Sequence, residues 1–123
     1  MKIQLQNYGD IECRLPSLAI CYDVVSMWSG TQDRNIMGRL CALAVCCAVP
    51  DNRFPAYTVT MSDPIGQGGV CLEFLLNQDI PISQIINQGI AIITWFANKL
   101  PSENEVNEIE NFTEQNDQLA SNG

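Results

Sequence analysis

The chain has 123 residues, a common size for one folded domain, and 46% of them are apolar against only 16% charged. This composition excludes a disordered chain and favours one globular core. The net charge of -8 and the scattered positions of the six basic residues exclude a direct nucleic-acid binder, which needs clustered Lys and Arg. The low content of charged residues indicates an apolar surface that a partner protein or self-association covers.

The acidic residues are concentrated at the C-terminus. Residues 101–123 contain six acids and no base, whereas residues 1–100 contain eight acids and six bases. We therefore expect a single globular domain over residues 1–100 and an acidic tail over residues 101–123. The N-terminus has no apolar signal-peptide core, and no segment approaches the ~20 apolar residues that span a bilayer, so we expect a cytoplasmic protein without a membrane partner.

A β-hairpin is predicted over residues 2–15. Turn-forming residues at positions 7–10 separate two stretches in which apolar and polar residues alternate. This alternation predicts one buried face, formed by Ile3, Leu5, Ile11, Cys13 and Leu15.

Four helices are predicted after the hairpin, over about residues 18–29, 34–48, 65–78 and 83–99. The second is apolar on almost every side, which is typical of a central buried helix. The sequence does not decide whether residues 57–61, before the third helix, form a short strand. Together these elements predict a mainly helical α+β fold, in which a compact bundle of about four helices follows the hairpin.

The ends and apolar stripes of these helices are read from particular residues. Ser17 and Ser83 are the expected N-caps of the first and fourth helices, and Asp63 with Pro64 is the expected start of the third. The first helix carries an apolar stripe of Leu18, Cys21, Tyr22, Val25 and Trp28. The third helix carries one of Val70, Cys71, Phe74 and Leu75.

The sequence lacks the residue patterns that are typical of an active site. The chain has no histidine, the usual general base and metal ligand, and no cysteine has an evident activating neighbour. The cysteine spacings match no zinc motif, and the glycines at 66–69 lack the remainder of a nucleotide-binding signature. We expect no catalytic residue, no metal and no cofactor.

The six cysteines are interpreted as reduced thiols, three of them within an apolar run. A disulfide framework is the alternative for a secreted chain.

Protein binding is the remaining class, and two groups of residues are candidates for it. Ser102 to Glu105 fits a capping box, which predicts a short helix over about residues 103–111 in the acidic tail. Its candidate contacts are Val106, Ile109, Phe112, Glu105 and Glu108, and residues 113–123 have no periodicity. Trp28 and Trp95 are the second group, as large side chains that anchor a partner or fill the core.

The order of the elements supports a more specific hypothesis. A Leu15-Pro16-Ser17 helix start follows the hairpin, then a small-residue helix from Arg39 to Cys47, then Asp63-Pro64 ahead of Gly68-Gly69, and a capped acidic tail. This layout, over about residues 1–112, resembles the tail assembly chaperones of long-tailed bacteriophages.

The resemblance implies a non-enzymatic scaffold in a bacterial cytoplasm. Such a scaffold binds the tape-measure protein, keeps it soluble and recruits tail-tube subunits. Two other classes stay open at this point. One is a structural virion component, such as a tail-completion or head-tail connector protein, and the other is a small regulatory binding module.

Overall fold

A computed structural model describes residues 1–55, 57 and 63–101 of the chain. These residues form a two-stranded antiparallel sheet followed by four α-helices, which confirms the predicted α+β layout. Residues 58–61, where the sequence leaves a short strand open, and the predicted tail helix lie outside the described residues. The elements are β1 Lys2–Leu5, β2 Gly9–Glu12, α1 Leu18–Ser29, α2 Arg34–Ala48, α3 Pro64–Asn77 and α4 Ile82–Lys99.

The hairpin forms where the alternation predicts it, but it is shorter. Leu5 pairs with Gly9 across a three-residue loop, in which Asn7 adopts a left-handed conformation with φ of 72°. β2 ends at Glu12: the N–H of Cys13 still donates to the carbonyl of Met1 at 2.7 Å, and the N–H of Arg14 donates to the carbonyl of Ala48 at the end of α2, at 2.8 Å. The prediction that Leu15 joins the buried face is therefore wrong, and its side chain is 37% exposed.

The central position of α2 is confirmed. Its residues from Leu40 to Cys46 are all buried, and α1, α3 and α4 each contact it. A helix with apolar side chains on every side is stable only when other elements cover it completely. α3 and α4 provide most of this cover.

Two glycines let the flanking helices approach the backbone of α2. A Cβ atom at Gly68 in α3 would lie 2.5 Å from the carbonyl oxygen of Arg39, and one at Gly89 in α4 would lie 2.6 Å from the Cα atom of Cys41. No side chain fits at either distance. These positions therefore require glycine because of close helix packing, although glycine weakens a helix by roughly 1 kcal/mol.

Aromatic packing holds the hairpin and the connection after α2 against α3. The rings of Tyr8 and Phe54 meet edge to face with centroids 5.2 Å apart, and Phe54 meets Phe74 in the same way at 5.2 Å. Such pairs add about 0.5–1.5 kcal/mol beyond their buried area. The irregular connection is thus fixed at Phe54, between the hairpin loop and α3.

The helix ends agree closely with the sequence, with one error. The hydroxyl of Ser17 accepts the N–H of Ile20 at 3.3 Å, and the carboxylate of Asp63 accepts the N–H of Gly66 at 2.9 Å, as their positions predict. The prediction that Ser83 caps α4 is wrong. The helix begins at Ile82, and the carbonyl of the extended Pro81 accepts the first N–H groups without any side-chain cap.

Replacing Leu43 with Asp tests the central position of α2. Leu43 is fully buried, so Leu43→Asp places an unpaired carboxylate in the core and costs several kcal/mol, about the whole stability of a small domain. We expect an insoluble or unfolded chain by circular dichroism. Leu76→Asp is the matched control, because Leu76 is 44% exposed, and it should melt within a few degrees of the parent. A folded Leu43→Asp variant with an unchanged Tm would contradict the fold.

Candidate protein-binding surface

Helices α1 and α4 lie side by side on the same side of α2. They contact each other, and each also contacts α2. The buried residues of both helices, Cys21 and Val24 in α1 and Ile85 and Phe96 in α4 among them, point into the shared core. Each of the two helices therefore turns one side to the shared core and leaves the other side exposed.

The outward surface of α1 carries no charge. Leu18 is 55% exposed and Tyr22 is 62% exposed. The one acid of this helix, Asp23, is half-buried, and its carboxylate accepts a hydrogen bond from the Tyr57 hydroxyl at 2.9 Å. The exposed residues of α1 are Leu18, Ala19, Tyr22, Ser26 and Ser29.

The outward surface of α4 is also uncharged as far as its last residue, Lys99. Ile82 and Ile90 are the large apolar side chains on it, at 51% and 42% exposure. The hydroxyl of Thr94 donates to the carbonyl of Ile90 at 2.9 Å, so its hydrogen bond is made within the helix. The remaining exposed residues before Lys99 are small or amidic: Ser83, Asn87, Ala91, Thr94, Ala97 and Asn98.

The other two helices expose charged side chains. α2 exposes Arg34 and Arg39, and α3 exposes Glu73 between the apolar Val70 and Leu76. Only α1 and α4, among the helices in the described part of the chain, present an outward surface with large apolar side chains and no charge before Lys99. We call these exposed residues of α1 and α4, without Lys99, the α1–α4 face.

A face of this kind has the properties of a protein-binding surface. Charged residues are depleted and aromatic residues enriched at the centre of protein interfaces, and contiguous apolar surface on a folded chain marks a site of interaction. Covering Leu18, Tyr22, Ile82 and Ile90 would stabilise a complex by about 1 kcal/mol per side chain, once the part that folding already buries is discounted. No charge has to be desolvated in the process.

The structure places the predicted partner-binding residues differently. Trp28 and Trp95 are both half-buried and pack against the core. A contact with a partner remains a prediction for them. The candidates in the tail, Glu105, Val106, Glu108, Ile109 and Phe112, lie outside the described residues.

Sequence reasoning does not reveal the α1–α4 face, because helical spacing groups the exposed Leu18 and Tyr22 with the buried Cys21 in one apolar stripe. The sequence contains a signal for it. Within the 30 residues of the two helices, Asp23 and Lys99 are the only charged ones. Such a scarcity of charge is compatible with complete burial as well, and only the packing of α1 beside α4 reveals that one side stays exposed.

A shallow cavity of about 420 Å³ lies beside this region, between the start of α1 and the connection after α2. Its wall includes Arg14, Ile20, Cys47, Phe54 and Tyr57. Burial raises the pKa of Cys47 to about 12. Because the reactive form of a cysteine is the thiolate, this pKa leaves Cys47 as an unreactive packing residue at neutral pH.

The other thiols have the same character. All six cysteines are free, and all except the half-buried Cys47 are buried. Burial raises the pKa of Cys41 to about 11, and the pKa of Cys46 is raised by the neighbouring Cys71 thiol and by burial. No group of three or more Cys, Asp or Glu side chains within residues 1–55, 57 and 63–101 is arranged to hold a metal ion.

Comparison with known protein families, curated proteins and solved structures finds no match to this chain. None of the helices in the described ranges combines the length and the apolar character needed to cross a membrane. The case for a function therefore rests on the sequence and on the α1–α4 face.

Thiol labelling tests the burial of the cysteines. Because five of the six are buried and burial raises the pKa values of Cys41 and Cys47, iodoacetamide should modify the native protein slowly, with Cys47 first. Denaturation should release all six thiols, counted by mass spectrometry. Rapid native labelling, or fewer than six reactive thiols after denaturation without reductant, would contradict the structure.

A pH titration tests the contact between Tyr57 and Asp23. Burial and the neighbouring carboxylate raise the pKa of Tyr57 from 10.0 to about 12, so folding favours the neutral phenol. Its contribution to the free energy of unfolding is complete below pH 10 and is lost as the pH rises towards 12. Tyr57→Phe should be less stable than the parent at neutral pH, and the difference should shrink over that range. A constant difference would contradict the assignment.

Proposed function

We propose that this chain is a non-enzymatic scaffold that binds another protein through the α1–α4 face. The observation that carries the proposal is the absence of charge on the outward side of two adjacent described helices that expose Leu18, Tyr22, Ile82 and Ile90. A surface exposed only to solvent gains nothing from this composition, whereas a protein interface is stabilised by it.

The more specific form of the proposal is a tail assembly chaperone of a long-tailed bacteriophage, acting in the bacterial cytoplasm. It is supported by the resemblance in layout, from the hairpin to the acidic tail, and by the binding surface on the helices. In this role the chain holds the tape-measure protein in solution and brings tail-tube subunits to it. The apolar side of a long tape-measure helix is a suitable occupant, since an amphipathic helix buries its apolar residues on such a surface.

The acidic tail is a second candidate for the contact within the same function. Its charge of -6 would attract a basic segment and raise the rate of association. A short helix gains little stability alone in water, so burying Val106, Ile109 and Phe112 against a partner would stabilise the helix that the sequence predicts there. Experiments can distinguish the two candidate contacts, because one depends on the folded helices and the other on residues after Leu100.

Co-expression with the tape-measure protein of the same genome tests this function. We expect a soluble complex, and Tyr22→Glu should weaken it by about tenfold or more because it places a charge in an apolar contact. Val70→Glu is the control: Val70 is also exposed, at 52%, but lies on α3 beside Glu73. The control should bind as the parent does, with the same Tm for all three chains.

Truncation after Leu100 separates the two contacts. Binding that survives truncation and fails in Tyr22→Glu assigns the contact to the α1–α4 face, and the reverse result assigns it to the tail. A chain that leaves the tape-measure protein insoluble contradicts the chaperone function. Its presence in mature particles would identify a structural virion component instead.

A further inference from the structure

We propose that the open edge of β2 binds an extended segment of another protein as a third, antiparallel strand, in which one apolar residue is flanked by basic residues. The proposal does not depend on the α1–α4 face, because none of the residues involved belongs to that face. It assigns the chain a second binding surface and states the chemistry of the segment that this surface recognises.

The hydrogen bonds of the hairpin leave one edge of β2 unpaired. The N–H of Cys13 donates to the carbonyl of Met1 at 2.7 Å, so these two residues are a hydrogen-bonded pair of the antiparallel ladder. Hydrogen-bonded pairs alternate with non-bonded ones, so the N–H and C=O groups of Ile11 face β1, whereas those of Asp10 and Glu12 point away from it. No hydrogen bond among the described residues uses these outward groups. They are free to pair with a further strand.

A cavity beside this edge is suited to one apolar side chain. It has a volume of about 480 Å³ and lies between Tyr8 and Ile11 of the hairpin and the connection from Val49 to Arg53. None of the residues of β1, all of which the structure describes, lines it, so the cavity is on the open side of β2. Ile11 lies opposite the buried Ile3 and shares its core-facing side of the sheet. A residue of an added strand opposite Ile11 would point to the same side, and therefore into the cavity.

The outward side of β2 is acidic. Asp10 and Glu12 precede and follow Ile11, so their exposed side chains lie on the other face of the strand. Glu12 pairs with the N-terminal ammonium at 3.3 Å, whereas Asp10 has no ion pair with any described residue. Arg53, at the rim of the cavity, is already paired with Asp51 at 2.7 Å, which limits its repulsion of a basic segment. Opposite charges on neighbouring strands attract, so Lys or Arg is favoured opposite Asp10.

The same acids argue against a second copy of this chain as the added strand. If β2 of another copy paired antiparallel with Ile11 opposite Ile11, each Asp10 would lie opposite a Glu12. Like charges directly opposite each other destabilise a strand pair, and charged side chains are a common means of preventing edges from pairing with themselves. The edge therefore rejects its own sequence and selects a basic one.

Titration of the ¹⁵N-labelled full chain with the peptide Thr-Lys-Val-Lys-Thr tests the addition of a strand. With its valine opposite Ile11, its lysines lie opposite Asp10 and Glu12. The peptide should shift the amide resonances of Asp10 and Glu12 and slow their exchange with solvent, because both N–H groups become hydrogen-bonded. Asp10→Asn should weaken binding about two- to fivefold by removing one exposed charge pair. Glu73→Gln on α3, which makes the same change in net charge, should leave it within about 1.5-fold of the parent.

Two methylated peptides separate backbone pairing from charge attraction without altering the protein. In the proposed antiparallel pair, both lysines exchange backbone hydrogen bonds with β2, whereas the N–H of the valine points away from it. Methylation of both lysine backbone nitrogens should weaken binding by about tenfold or more, because it removes two donors and blocks the approach of the strands. Methylation of the valine backbone nitrogen keeps the same charge and should change binding by less than about threefold.

The outcomes separate this proposal from the proposed function. The absence of shifts at Asp10 and Glu12, or an equal loss of binding by both methylated peptides, overturns the added strand, because any binding would then be general attraction to an acidic chain. An unchanged affinity when glycine replaces the valine of the peptide overturns the use of the cavity. A chain that binds the peptide at β2 but no tape-measure protein supports the added strand and contradicts the chaperone function. The opposite result overturns the added strand and leaves the contact at the α1–α4 face standing.

Discussion

The close contact of α3 and α4 with the backbone of α2 is the constraint on which the rest of the structure depends. Gly68 lies against Arg39 and Gly89 against Cys41, with no space for a side chain at either position. The backbones approach this closely because α2 itself consists largely of small apolar residues between Leu40 and Ala48. Close packing on both sides buries α2 and makes it the centre of the core.

The same constraint determines which surfaces remain available. Because α4 lies on α2 through Gly89, and α1 contacts both helices, each of α1 and α4 has one side in the core and one side exposed. Neither helix can turn these sides inward without displacing the residues that it already buries, such as Val24 and Phe96. The α1–α4 face is therefore a fixed surface of the folded chain. This rigidity lowers the entropy cost of binding, since no backbone has to become ordered.

Much of the fold could be predicted from the sequence, whereas the candidate surface could not. The bounds 18–29 and 34–48 agree with α1 and α2, because local signals such as the Ser17 cap and the glycine at position 30 act within the helix itself. The assignment of Leu15 to a buried face is wrong, and the apolar stripe of the first helix contains both the buried Cys21 and the exposed Tyr22. Periodicity identifies the apolar side of an element but not how much of it a neighbour covers, and in this chain Cys21 is buried while Tyr22 stays exposed.

Site-specific photocrosslinking measures most directly whether proteins bind at the α1–α4 face. Benzoylphenylalanine in place of Tyr22, and in a separate chain in place of Val70, probes two exposed positions on different helices of the same purified protein. Irradiation of the chain alone and with the tape-measure protein, followed by mass spectrometry of the adducts, identifies what lies within contact of each position. The account predicts adducts to the tape-measure protein from position 22 and almost none from position 70. Adducts that form from position 70 and not from position 22 would contradict it.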